Sequence, residues 1–211
     1  MTGLSTGDVR GVVLAGGEST RFGEENKALA HFAGEPLIAR VVSALRGTTG
    51  SAPLLAARSA ERADELHSVL PPLPTISDDV DFEGPIAGLV AAAEAVSTPW
   101  IVVTGCDMPL VSEPAVQVLL DHATRDVDAV VPDDSGHLEP LFGAYRTAAV
   151  RKYRSNVAPS AGPQRLLDEL ATVRTLSTDS YPVLGRAIKN VNTKAELETL
   201  TETMVLDGHV R

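Results

Sequence analysis

Residues 9–15 (VRGVVLA) are an apolar run too short for a buried helix, and they lead directly into glycines. That pattern marks a strand enclosed on both faces. The same pattern recurs along the chain. Residues 53–57, Thr75–Ser77, residues 100–104 (WIVVT) and residues 128–132 read as further strands, and residues 139–145 as one suited to antiparallel pairing. Helical spacings lie between them. Leu37, Ile38, Val41, Val42 and Leu45 define a helix after Pro36, with Gly47 expected to stop it. A polar helix over residues 59–70 ends at Pro71, Pro72 and Pro74. Ile86, Leu89, Val90, Ala93 and Val96 form an apolar helical face that begins at Gly84–Pro85, with Pro85 in the first helical position. Ser112 is expected to cap the helix carrying Val116, Leu119 and Leu120. Residues 147–157 and 164–170 read as helical, and Thr193 with Glu196 forms a capping box for the last helix. This alternation predicts an α/β fold: a single three-layer αβα domain over residues 1–211, with a mostly parallel, Rossmann-like sheet. Residues 1–8 are expected to be flexible.

Composition removes several function classes. A chain of 211 residues can bury roughly 70% of its unfolded surface without covalent staples. Cys106 is the one cysteine, so an intrachain disulfide and a Cys-based zinc site are both excluded, and a reducing compartment is expected. Residues 1–10 lack the apolar stretch of a signal peptide. The longest weakly polar run, residues 84–93, is far shorter than the roughly 18 residues of a membrane span. A soluble cytoplasmic protein with no membrane partner is the expectation. Lys and Arg number 18 against 28 Asp and Glu, a formal net charge of −10. Such a field repels long nucleic acids. The scattered basic group Arg146, Arg151, Lys152 and Arg154 reads as a solvated helix face.

The chemistry concentrates in residues 14–27, LAGGESTRFGEENK. This is neither a Walker A loop nor a G-x-G-x-x-G fingerprint. It is still a glycine-rich loop at the C-terminal end of the first strand, where open α/β sheets bind ligands. Gly16 and Gly17 have no side chains, so their N–H groups can approach phosphate oxygens. Arg21 and Lys27 supply positive charge against a triphosphate. Asp107 follows the apolar run 100–104 and should emerge at the sheet edge beside this loop. A hard carboxylate there suits Mg²⁺, which binds through few protein oxygens and bridges substrate phosphates.

These residues resemble the pyrophosphorylase-type nucleotidyltransferases, whose first loop reads L-A-G-G-x-x-x-R-M/F-G-x-x-K. Three further matches resemble the molybdenum cofactor guanylyltransferases in particular. GPIAGL at residues 84–89 is similar to their G-P-L-A-G, CDMP at 106–109 to C-D-x-P, and NVNTKAEL at 190–197 to N-x-N-T-P-E-E-L. The resemblance implies the nucleotide-diphospho-sugar transferase fold. It also implies transfer of GMP from GTP to molybdenum-loaded molybdopterin, with Mg²⁺ as cofactor and pyrophosphate as product. On this basis Arg21, Lys27 and Asp107 are the candidate catalytic residues, and Asp107 the metal ligand. Leu14, Ala15, Gly16, Gly17, Lys27, Asp78, Gly84, Pro85, Gly88, Asn190 and Asn192 are the candidate binding residues.

Alternatives stay open at several positions. Asp79 and Asp81 compete with Asp78, because spacing before the GPIAGL segment varies. Gly84, Pro85 and Gly88 serve either close helix packing or nucleotide approach, or both. Asn190 and Asn192 read equally as pterin-side contacts and as cap chemistry before Thr193. Cys106 reads as a small buried residue rather than a nucleophile, and His137 as a surface loop residue. Trp100 and Tyr145 read as core.

Three departures from the resemblance stand out. Asn26 replaces an aspartate before the loop lysine, so an ion pair fixing Lys27 is expected to be missing. Ala56 and Ala57 stand where an asparagine near the ribose is usual, and Gly105 precedes Cys106. A cobinamide-phosphate guanylyltransferase and a cytidylyltransferase are rival enzymes, although the Gly16–Gly17 pair favours GTP over CTP. A catalytically silent nucleotide- or cofactor-binding module is the rival of another class. Transient contact with molybdenum cofactor insertion proteins is a further implied partnership; oligomeric state is not legible.

Overall fold

A computed structural model describes residues 4–17, 26–155 and 162–206 of the chain. The first strand, β1 (Val9–Leu14), shows how its layers arise. Val9 and Val13 enter one buried cluster, and Val12 and Leu14 the other, because successive strand side chains point to opposite faces. Along the chain follow β2 (His31–Phe32), β3 (Glu35–Pro36), α1 (Leu37–Thr49), β4 (Leu54–Ala57) and α2 (Ala60–His67). Next come β5 (Thr75–Ser77), α3 (Pro85–Ala95), β6 (Trp100–Gly105), α4 (Glu113–Asp121), β7 (Ala129–Asp134), β8 (His137–Leu138) and β9 (Phe142–Arg146). The chain continues through α5 (Thr147–Arg154), α6 (Pro163–Glu169), β10 (Val173–Ser177), α7 (Pro182–Ala187) and α8 (Lys194–Leu206).

The sheet order is β10-β7-β9-β6-β1-β4-β5, with β8 paired to β7. β9 runs antiparallel to β6 and β7, whereas β1, β4, β5 and β6 are mutually parallel. Helices α1, α2, α4 and α7 cover one face through Val41, Leu66, Val116 and Leu184. On the other face α3, α5 and α6 pack through Leu89, Val150 and Leu166. The fold is therefore α/β in three layers around a mostly parallel sheet. A third, smaller cluster of Phe32, Leu37 and Val191 seats α8 through Leu197 and Leu200.

Several local features correct the sequence reading. Gly47 does not stop α1; the helix runs on to Thr49 and closes at Gly50, whose φ of +67° is the left-handed conformation glycine adopts without strain. Gly47 lies against Glu113 of α4, and a Cβ there would overlap that side chain, so this glycine serves close helix approach. Ser112 occupies the N-cap of α4, but its side chain makes no capping hydrogen bond. The basic group is a solvated face only in part: Lys152 and Arg154 are exposed, whereas Arg146 and Arg151 are half-buried. Arg146 donates to the Thr124 and Val127 carbonyls and lies over the Trp100 ring at 5.1 Å. Arg151 donates to the Ala93 and Val96 carbonyls at the end of α3, and Arg154 pairs with Asp79 and Asp81. Thr6–Asp8 forms one 3-10 turn ahead of β1. No helix among the described residues is long and apolar enough to cross a membrane.

Candidate functional site

Strand register assembles the site. Leu14 pairs with Ala56 on one side and Gly105 on the other, and Ala57 pairs with Ser77. The residues immediately after these strands, 15–17, 106–107 and 78, therefore emerge together at one sheet edge. The chain moves from β1 outward to β4 and β5 and then returns to β6 on the far side of β1. This reversal opens a crevice at the carboxyl ends of the strands, where such sheets bind ligands. A cavity of about 90 Å³ lies there.

Leu14, Gly16, Gly17, Lys27, Asp78, Pro85, Gly88 and Asp107 all line this cavity. Ala15 sits behind it, its N–H donating to the Ala56 carbonyl at 2.8 Å. Gly16 and Gly88 hold the Asp78 carboxylate between them. A Cβ on Gly16 would overlap that carboxylate, and one on Gly88 would lie 3.0 Å from it. Burial raises the Asp78 carboxyl above its ordinary pKa, and the charge of Arg58 partly offsets this. Asp79 and Asp81 are consumed elsewhere, at 2.8 and 3.3 Å from the Arg154 guanidinium, so Asp78 alone of the three faces the cavity. Gly84 caps α3 with φ of +68° and lies just outside the lining residues.

Lys27 Nζ is 2.7 Å from Asp107 Oδ2 and donates to Asn192 Oδ1 at 3.1 Å. The expected loss of a fixing ion pair is thus corrected: Asp107, not residue 26, supplies it. Asn26 instead accepts from the Ala28 N–H and caps a 3-10 turn, Lys27–Leu29, which aims the lysine. Gly105 leaves room that a Cβ would take from the Asp107 carboxylate. Val191 N donates to the Asp107 carbonyl, tying the segment before α8 to the same point. Asn190 is exposed and outside the cavity, whereas Asn192 touches its lysine. Arg21 lies outside the described residues, as does Gly23.

The Cys106 thiol is pushed up to about 12, by burial first and then by the Asp107 charge. Burial of the thiol fits a small packed side chain rather than an activated nucleophile. Two lining residues, Arg62 and Leu141, were not singled out from sequence. Leu141 is placed by Glu139, which accepts its N–H at 2.9 Å and whose carboxyl is raised by burial. Arg62 belongs to a polar helix that reads as surface; an arginine one turn after the Ser59 cap was the available signal.

The MobA-like NTP transferase domain family matches residues 11–174. A probable molybdenum cofactor guanylyltransferase of Bacillus cereus (strain AH187) is 31% identical over 189 residues, covering 88% of this chain and 92% of the relative. A probable molybdenum cofactor guanylyltransferase of Bacillus cytotoxicus is 31% identical over 197 residues, covering 91% and 96%. Among solved structures, molybdopterin-guanine dinucleotide biosynthesis protein A from Archaeoglobus fulgidus superposes with a TM-score of 0.73 at 24% identity, covering 93% of this chain and 99% of that one.

Proposed function

The chain belongs to the MobA-like NTP transferase family, a nucleotidyltransferase of the molybdenum cofactor guanylyltransferase type, and we propose that it transfers GMP from GTP to molybdenum-loaded molybdopterin. The observation that carries this reading is the Lys27–Asp107 pair at the switch point of the sheet, beside Gly16–Gly17. A cation, a carboxylate and bare backbone N–H groups in one crevice suit a polyphosphate. Nucleotidyl transfer needs positioning and charge neutralisation more than covalent help from the protein.

Each residue then has a role. Gly16 and Gly17 let the triphosphate approach the main chain, and Lys27 neutralises it. Asp78, held between Gly16 and Gly88, offers acceptors to the nucleoside's N–H and O–H donors. Gly84 and Pro85 bring the start of α3 against the nucleotide. A terminal phosphate oxygen of the pterin attacks the α-phosphorus, and the bond from that phosphorus to the β-bridging oxygen breaks, releasing pyrophosphate.

The donor set fits Mg²⁺. Asp107 presents a hard carboxylate to the cavity, beside Gly16 and Gly17. That suits an ion held by one carboxylate plus substrate phosphates. Bound there, Mg²⁺ would supply charge neutralisation at the α-phosphate. Lys27 and Asp107, paired in this structure, would exchange each other for phosphate and metal.

Calorimetric titration with GTP, CTP and ATP, each with and without Mg²⁺, tests the reading. GTP with Mg²⁺ is expected to bind tightest. Lys27→Ala is expected to weaken GTP about ten- to hundred-fold, the loss of one charge-assisted contact of roughly 1.5–3 kcal/mol. Equal binding of CTP and GTP would contradict the base preference, and an unchanged GTP affinity would remove Lys27 from the site.

A further inference from the structure

The end of β4 gives the cavity no polar group, since Ala56 and Ala57 are buried and apolar. One helical turn later the chain sends back a charge. Ser59 Oγ accepts from Arg62 N at 3.2 Å and fixes the start of α2. The Arg62 side chain then folds inward. Its Nε makes a long hydrogen bond of 3.4 Å to the Ala15 carbonyl, at the entrance to the glycine turn, and its Nη1 pairs with Glu65 at 3.1 Å. The side chain is 15% exposed, against 45% for Glu65. Its second terminal nitrogen makes no hydrogen bond among the described residues, and the residue lines the cavity with Gly16, Gly17 and Lys27. A guanidinium this enclosed, with a donor edge unused, calls for an anion.

We propose that Arg62 is a nucleotide-phosphate ligand, binding the triphosphate from the α2 side while Lys27 binds it from the loop. The inference rests on the GTP-binding reading above. Lys27 is shared with Asp107, whereas Arg62 has its inward edge ready before any ligand arrives. Its planar fork matches phosphate oxygens in a way a lysine cannot.

The test is calorimetry of the full chain with GTP, GDP, GMP and guanosine, in the parent and in Arg62→Gln, Arg62→Lys and Glu65→Gln. Arg62→Gln is expected to lose about ten-fold or more in GTP affinity, a loss that shrinks from GTP to GMP and vanishes for guanosine. Arg62→Lys shows the same ordering at smaller amplitude, and Glu65→Gln stays within about two-fold of the parent for every ligand. A merely structural role, bracing the Ala15 carbonyl, would disturb the glycine turn without changing the salt dependence of GTP affinity, which the loss of a phosphate-binding cation lessens. Uniform loss, an unchanged salt dependence, or unchanged GTP affinity in either folded Arg62 variant, overturns the proposal. A parent that binds no GTP overturns the guanylyltransferase reading beneath it; a parent that binds with indifferent Arg62 variants overturns this inference alone.

Discussion

The carboxylate of Asp78 is half-buried against Gly16 and Gly88, and loss of water raises its pKa despite the opposing charge of Arg58. A raised carboxyl pKa means the ionised form is less stable in the folded chain than in the unfolded one. At neutral pH Asp78 therefore destabilises the fold, and this cost fades as pH falls through the raised value and the folded state takes up the proton. Asp78→Asn is expected to raise the melting temperature at pH 7 by a few degrees, with the gap closing towards about pH 4, while GTP affinity falls. Melting curves across pH check the first part and calorimetry the second. A variant less stable than the parent at pH 7 would mean the carboxylate is a structural hydrogen-bond partner. Asp107 was legible in the sequence because a charged residue right after a wholly apolar run has to surface at the sheet edge. Arg62 was not, because helix α2 is polar almost throughout and nothing in its spacing says which long side chain folds back.

Helix α3 is held at both ends by α5. Arg151 donates to the Ala93 and Val96 carbonyls, satisfying the C-terminal end, and Arg154 ties down Asp79 and Asp81 just before the N-terminal Gly84. Phe82 adds a stacked contact with Tyr153 at 6.3 Å. The placement of the GPIAGL segment against the cavity is thus a property of the α3–α5 pair. Arg151→Gln is expected to destabilise the fold by about 1–3 kcal/mol, since two helix-end carbonyls lose a charged donor. Urea unfolding measures it; a change below the error of the extrapolation would make the arginine dispensable. The buried strands and long helices were legible from apolar spacing, because each must hide one face or two. The hairpin strands β2, β3 and β8 were not, since two residues carry no period. β10 was missed because it is an edge strand with exposed Thr175 and Ser177. Gly47 misled because a glycine in a helix reads the same whether it ends the helix or admits a neighbour.

Across the whole molecule, the sheet reversal between β1 and β6 sets the phosphate-binding turn and Asp107 side by side, and the segment before α8 closes on them through Asn192 and Val191. The chain as a whole carries a net charge of −10, so the cations that meet a polyphosphate must be supplied locally, and Lys27 and Arg62 line the cavity. The most direct measurement is pyrophosphate release from GTP by purified protein with molybdenum-loaded molybdopterin and Mg²⁺, alongside folded Asp107→Ala at saturating Mg²⁺. The account predicts pyrophosphate in step with the guanine dinucleotide product, GTP preferred to CTP, and a loss on the order of 10³-fold or more in the variant. No pyrophosphate from the parent, or a variant within a few-fold of it, would contradict the account.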